Sequence, residues 1–234
     1  PNKPDTYRHF PKTVKAAKCA CALYKCYVLQ GVSLIMSKTD DKIWRQYYEK
    51  SLAKSHAPRT EFAIKLNDSN VKIAIDVGCG TGCDTSYISR LGYEVQSFDN
   101  NPDSIAICVE RFGDEPLVTI RESSFETFEY PKCGVVIANS SLYFADPDLF
   151  IMTWKRIIDS IQKGGVFAGD FIGVNDSWAS GFRSPTTPMS KFEVEALFNN
   201  FEIVRFHERD EIGKTAIGKT KHWHTFSVVA IKRT

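Results

Sequence analysis

The stretch Ile73-Ala74-Ile75-Asp76-Val77-Gly78-Cys79-Gly80-Thr81-Gly82 decides the fold. An apolar, β-rich run from Val71 to Val77 ends in a loop where every second residue is glycine, and helical sequence follows. A short continuous apolar run closed in this way is the pattern of a strand buried on both faces of a parallel sheet. Glycines permit positive φ and let a ligand approach the backbone closely. The helix start behind them offers free N–H groups to an anion such as a carboxylate. The spacing does not suit a dinucleotide, because Cys83 occupies the third glycine position of a G-x-G-x-x-G fingerprint. Asp76 would also be unwelcome beside a pyrophosphate, whereas a ligand bearing an ammonium group and no phosphate would tolerate it.

Outward from this loop, strand and helix patterns alternate. A helix runs to Leu91, a strand from Tyr93 to Phe98, and Asn101-Pro102 caps and opens a helix that turns Ile105, Cys108, Val109 and Phe112 inward. Further strands are read at Leu117–Arg121, Val135–Asn139 and Val166–Phe171. Asp146-Pro147 repeats the cap-plus-proline device before a helix carrying Phe150, Trp154, Ile157, Ile158 and Ile161. Ser190-Lys191-Phe192-Glu193 is a capping box opening a helix through Phe198. The last two strands, Phe201–Phe206 and Thr225–Ile231, have only a loop between them and should pair antiparallel. Before β-rich sequence begins, Asp40 or Asp41 can cap a helix with Trp44, Tyr47, Tyr48 and Leu52, and Pro58 can open another with Phe62, Ile64 and Leu66. The expected architecture is α/β: a Rossmann-like, doubly wound, mostly parallel seven-stranded sheet with a final antiparallel strand.

The 234 residues suit one such domain, and 43% hydrophobic with 25% charged residues is ordinary globular composition. The net charge of +2 is uneven: residues 1–35 hold six Lys/Arg against one acid, so the remainder has three more acids than bases. A mildly acidic body argues against broad electrostatic binding of nucleic acid. Seven cysteines without regular spacing make a poor disulfide framework and fit a reducing cytoplasm. No apolar run is long enough to span a bilayer. Residues 1–35 read as a leader outside the native domain, with Met36 as the natural start; a signal or anchor segment ranks second because Lys25 and Gln30 interrupt its apolar stretch. The expected division is leader 1–35, N-terminal helices 36–70 and a ligand-binding domain 71–234.

The sequence D-V-G-C-G-T-G at 76–82 resembles the glycine-rich first motif of class I S-adenosylmethionine-dependent methyltransferases. The resemblance implies that Asp76, Gly78, Cys79, Gly80 and Gly82 hold the methionyl moiety of S-adenosylmethionine, Cys79 through its backbone. It implies that Asp99, with Asn100 beside it, ends the second strand where a carboxylate accepts both ribose hydroxyls; the competing reading, a helix cap, is better filled by Asn101. After the third strand, Arg121-Glu122-Ser123-Ser124-Phe125 departs from the family's acidic pattern, leaving Ser124 and the Phe125 N–H as substitutes at the adenine, with Ser123 nearly as suitable. The fourth motif, 136–143, places Asn139 and Ser140 where donor and acceptor should meet. It lacks the Asn/Asp-Pro-Pro-aromatic run of amino-methylating nucleic-acid enzymes, and Cys133 precedes the strand where a cytosine C5 enzyme needs a following cysteine. Segments 173–178 and 221–226 look like small bacterial methyltransferases labelled tellurite-resistance-like, a label that says little about substrate.

The implied activity is methyl transfer to a small-molecule acceptor, with no membrane partner and no particular oligomeric state indicated. Two alternatives stay open: an RNA or protein methyltransferase, and a non-catalytic binder of S-adenosylmethionine or S-adenosylhomocysteine. A base is needed only for a protonated acceptor, and Tyr143, His222 and His224 are candidates. No metal is expected, since the two histidines on one strand face lack an evident third ligand. Trp44, Tyr47 and Tyr48 are either core or a lid over the donor, and Tyr143 and Trp178 are either core or acceptor pocket. Gly213–Thr220 matches the phosphate-loop pattern literally, but it follows no buried strand and opens no helix, so a turn between the last two strands is expected.

Overall fold

The computed structural model describes residues 38–180 and 185–234; the reading of residues 1–35 as a leader, and of Met36 as a start, lies outside them. Helix α1 (Lys38–Leu52) and helix α2 (Pro58–Leu66) precede strand β1 (Ile73–Val77). Then come α3 (Cys83–Arg90), β2 (Glu94–Asp99), α4 (Pro102–Phe112), β3 (Val118–Glu122) and β4 (Cys133–Ala138). The chain continues through α5 (Phe150–Ser160), β5 (Ile161–Gly173), the short β6 (Pro188–Met189), α6 (Lys191–Ala196), β7 (Phe201–Lys214) and β8 (Thr220–Lys232).

The sheet order is β3-β2-β1-β4-β5-β8-β7, with β6 paired to β5 off this path. Strands β3, β2, β1, β4 and β5 run parallel, and β8 lies antiparallel to both β5 and β7. The order reverses between β1 and β4, which is the topological switch point where a crevice opens at the carboxyl ends of the strands. One face of the sheet packs Phe167, Phe171 and Phe226 against Phe150, Trp154 and Ile157 of α5. The other packs Ala74, Val95, Ile137 and Val229 against Ala63 of α2 and Ile88 of α3. Burial on both faces is why β4 reads as an unbroken apolar run and β1 as one interrupted only by Asp76.

Four local expectations are corrected. Helix α5 begins at Phe150, not at Pro147, because the Asp146 side chain accepts the Asp148 N–H at 2.8 Å and spends itself on a turn. Ile161 starts β5 and does not end α5. Val109 is 52% exposed, so the inward stripe of α4 is carried by Cys108 and Phe112. The last two strands are much longer than their apolar cores, pairing from Phe201–Lys232 out to Lys214–Thr220. Their outer halves are charged and aromatic, so an apolar pattern could not report them. The Ser190 capping box forms with both of its hydrogen bonds, and Asn101 caps α4 by accepting the Asp103 N–H. Residues 215–219 form the expected turn, with the Thr215 N–H on the Lys219 carbonyl and Gly218 at φ +85°.

Candidate active site

The glycine loop fixes its shape through positive φ at Gly78 (+67°), Gly80 (+53°) and Gly82 (+73°). A Cβ on Gly78 would lie 2.6 Å from the Ser141 Cβ, so the loop and motif four touch with no room for a side chain. Cys79 is buried and its thiol lies 4.0 Å from that of Cys108. Burial and that neighbouring thiol push it well above the usual thiol range, making it an inert packing residue.

Asp99 Oδ2 accepts the Gly80 N–H and Oδ1 the Asn101 N–H, both at 2.9 Å. Each oxygen keeps a further lone pair, so the carboxylate organises the loop and still has capacity for hydroxyl donors. Burial raises its pKa, opposed by these N–H contacts. Asn100 beside it is exposed. The Ser123 N–H bonds the Asp99 carbonyl, and Phe125 stands 3.5 Å from the Gly78 Cβ position, so the segment after β3 closes the same crevice. The Ser124 hydroxyl pairs with Thr127 at 3.1 Å.

Asp76 lies deeper than a first-motif ligand residue would. Its Oδ2 accepts both the Thr85 N–H (3.1 Å) and the Thr85 hydroxyl (2.6 Å), so it braces the first turn of α3 from beneath. Burial, followed by repulsion from Asp84, pushes its carboxyl up to about 7. The folded chain therefore holds a proton here that the unfolded chain releases near 3.8, and stability falls as pH rises across that interval. Replacing Asp76 with Asn should flatten the dependence of Tm on pH between about 4 and 7, and an unchanged slope would exclude this carboxyl as its source.

Sequence reasoning missed the polar centre beside motif four. Arg59 of α2 donates to both oxygens of Asp170 on β5 at 2.6 Å, and to the Asn139 carbonyl oxygen at 2.9 Å. Asp170 also accepts the Ser140 N–H at 2.8 Å and the Ser227 hydroxyl at 2.6 Å. The Asn139 amide donates to Thr60 and Asp84, both at 2.9 Å. These bonds hold Ser140 at φ +54°, a strained value for a residue other than glycine. Arg59 and Asp170 are 111 positions apart and meet only because α2 packs on β5.

This centre borders a cavity of about 260 Å³. Trp223, Thr225 and Ser227 of β8 and His207 and Arg209 of β7 form its hairpin wall. Tyr143, Ser140 and the Arg59–Asp170 pair complete it. Of the three candidates for proton transfer, Tyr143 alone lines the cavity. Burial raises its phenol far above the usual range, so it is a hydrogen-bond donor and not a base near neutral pH.

His222 and His224 alternate with the cavity-lining residues of β8 and belong to the other face. The two segments 173–178 and 221–226 clamp together through side chains of both strand faces. The Asn175 N–H bonds His224 Nδ1, Asp176 accepts the His224 N–H and pairs with Lys221, and the His222 ring pairs with Asp210. Lys221 Nζ sits 3.4 Å and 3.9 Å from the ring centroids of Trp178 and Trp223. Trp178 is thus part of this clamp. Glu208, Asp210 and His224 bring ligand atoms within 4.8 Å of one another, the acidic partners that the sequence did not reveal. A metal on His224 Nε2 would require a proton on Nδ1, where the Asn175 N–H already donates.

In α1, Tyr48 is buried and stacks on Trp44 at 6.0 Å, and Trp44 meets Phe144 after motif four at the same distance. The negative charge of Asp99 contributes to raising the Tyr48 phenol, after burial. The aromatic residues of α1 therefore border both the loop and motif four.

Residues 75–168, from β1 into β5, match the family model described as a methyltransferase domain. No curated protein matches the chain in sequence. Among solved structures, TehB from Haemophilus influenzae aligns with TM-score 0.65 at 18% identity, over 80% of this chain and 66% of that one. The 1,6-didemethyltoxoflavin-N1-methyltransferase of Burkholderia thailandensis, solved with its substrate and S-adenosylhomocysteine, aligns with TM-score 0.59 at 16% identity, over 97% and 94% of the two chains. The N-methyltransferase NodS from Bradyrhizobium japonicum aligns with TM-score 0.56 at 13% identity, over 75% and 95%. Residues 75–168 are thus a methyltransferase domain that uses S-adenosylmethionine, set in the Rossmann-like fold that these structures share.

Proposed function

We propose that the chain transfers a methyl group from S-adenosylmethionine to a small-molecule acceptor held in the cavity between Tyr143 and the β7–β8 hairpin. The carrying observation is adjacency: the cavity ends on Ser140, one residue from Ser141, which packs on Gly78 of the donor loop. A volume of about 260 Å³ lies near the lower limit of small-molecule sites and favours a compact acceptor over a polymer. The toxoflavin enzyme, whose acceptor is a small heterocycle, supports the same reading by analogy of fold. The likeness to TehB and the clamped segments 173–178 and 221–226 favour the tellurite-resistance-like subgroup.

In this reading Gly78, Cys79, Gly80 and Gly82 hold the methionyl part through their backbone, and Asp76 braces the helix behind them. Asp99 and Asn100 take the ribose, and Ser124 and Phe125 the adenine. Asn139 and Ser140 mark the transfer point, and α1 covers the donor with Tyr47 and Tyr48. The donor's sulfonium supplies an activated methyl group. The protein's share is alignment and exclusion of water. Among the described residues, Cys79, Cys83, Cys108 and Cys133 are unpaired thiols, which suits the cytoplasm. No helix among them is long and apolar enough to cross a membrane.

Calorimetry should give saturable one-to-one binding of both S-adenosylmethionine and S-adenosylhomocysteine, with S-adenosylhomocysteine formed when a suitable extract is added. Binding without turnover would convert the reading to a sensor. Salt-dependent retention on RNA would favour the nucleic-acid enzyme.

A further inference from the structure

The hairpin wall of the cavity holds donors with nothing to donate to. Trp223 buries its indole N–H with no acceptor, the one such side-chain atom among the described residues. An orphaned buried donor costs roughly 1–3 kcal/mol unless something satisfies it. Across the strand pair, Arg209 faces Thr225 and His207 faces Ser227. Arg209 spends only Nε, on the exposed Glu211, leaving both terminal amino groups. Its guanidinium lies over the Trp223 ring at 5.1 Å, which orients it along the cavity wall. Neither the His207 ring nor the Thr225 hydroxyl has a hydrogen-bond partner within the described residues. Trp and Arg can only donate.

The charges of the cavity sharpen this. Arg59 and Asp170 neutralise each other in a closed, two-pronged pair. Among the other lining residues, Arg209 holds the exposed Glu211 through Nε alone and keeps its terminal amino groups for a second anion, and His207 adds a further donor when protonated. Tyr143 and Trp223 also belong to the lining and offer aromatic surface to a flat partner.

We propose that the acceptor is a small planar molecule bearing an anionic group, with its ring against the aromatic lining of the cavity and the anion on Arg209, His207, Thr225 and the Trp223 N–H. This deepens the proposed function and rests on it. A carboxylate and a phosphate ester share the required chemistry. The test uses the full chain saturated with S-adenosylhomocysteine, titrated calorimetrically with 4-hydroxybenzoate, phenyl phosphate and the neutral isostere 4-hydroxybenzamide. At least one anion should bind tenfold or more tighter than the amide, and which anion wins identifies the group. In Arg209→Gln that preference should vanish while S-adenosylhomocysteine affinity stays unchanged. Trp223→Phe, which keeps a ring and removes the N–H, should lose several-fold affinity for the preferred anion. Equal binding of acid and amide, a preference that survives Arg209→Gln, or no binding of either anion would overturn the proposal. Failure of S-adenosylhomocysteine itself to bind would instead overturn the function on which it rests.

Discussion

Arg59→Ala should destabilise the fold by about 3 kcal/mol, because it breaks a largely buried ion pair. The substitution leaves the Asp170 carboxylate largely buried with only the Ser140 N–H and the Ser227 hydroxyl as partners. It also frees Asn139 from its tie to α2. Breaking a buried pair by removing one charge costs far more than the pair contributes, because desolvation of the survivor is uncompensated. The double variant Arg59→Met with Asp170→Asn should recover a large part of the loss. Denaturant melts of both variants check this. A loss below about 1 kcal/mol for the single variant would mean that Asp170 reaches water and that the pair behaves as a surface bridge.

The second large effect concerns the donor. Asp99→Ala should weaken S-adenosylhomocysteine binding on the order of 100-fold or more, since hydrogen bonds to a charged acceptor are worth about 1.5–3 kcal/mol each. Stability should change little, because removing a buried carboxyl relieves a desolvation cost while the Gly80 and Asn101 N–H groups lose their acceptor. Loop organisation and ribose recognition separate by comparing S-adenosylhomocysteine with its 2′-deoxy analogue. The native chain should discriminate between them, and the variant should not. Unchanged affinity in a folded variant would remove Asp99 from the site.

The parts of the site made by local sequence were legible in it. A strand, alternating glycines and a helix start lie within 75–85, and the resemblance to the methyltransferase first motif points one βα unit further on to the Asp99 carboxylate, which bonds the Gly80 N–H. The mostly parallel sheet followed from the alternation of strand and helix patterns. What could not be read was made by distance. Arg59 resembles any solvent-facing residue in the first turn of a helix, and Asp170 resembles a polar interruption of a strand; only docking of α2 on β5 joins them. The outer half of β7 is a run of charged residues and that of β8 is rich in Lys, His and Trp, both without apolar periodicity, so His207 and Arg209 showed no sign of facing a cavity. His222 and His224 carried the chemistry that draws attention, yet the same period-two geometry that placed Trp223 and Thr225 on the cavity turned them away from it.

The long β7–β8 hairpin has one more implication. In the proposed reading the donor is held by loops from three separate βα units, so altering its recognition means changing several places at once. The proposed acceptor wall is a single contiguous stretch from Phe201 to Lys232, joined by a five-residue turn. Such an arm can drift or be exchanged as one cassette while the engine behind it runs unaltered. An enzyme so divided can acquire new substrates by editing thirty consecutive codons, which makes chimeras across this boundary the natural units for retargeting it.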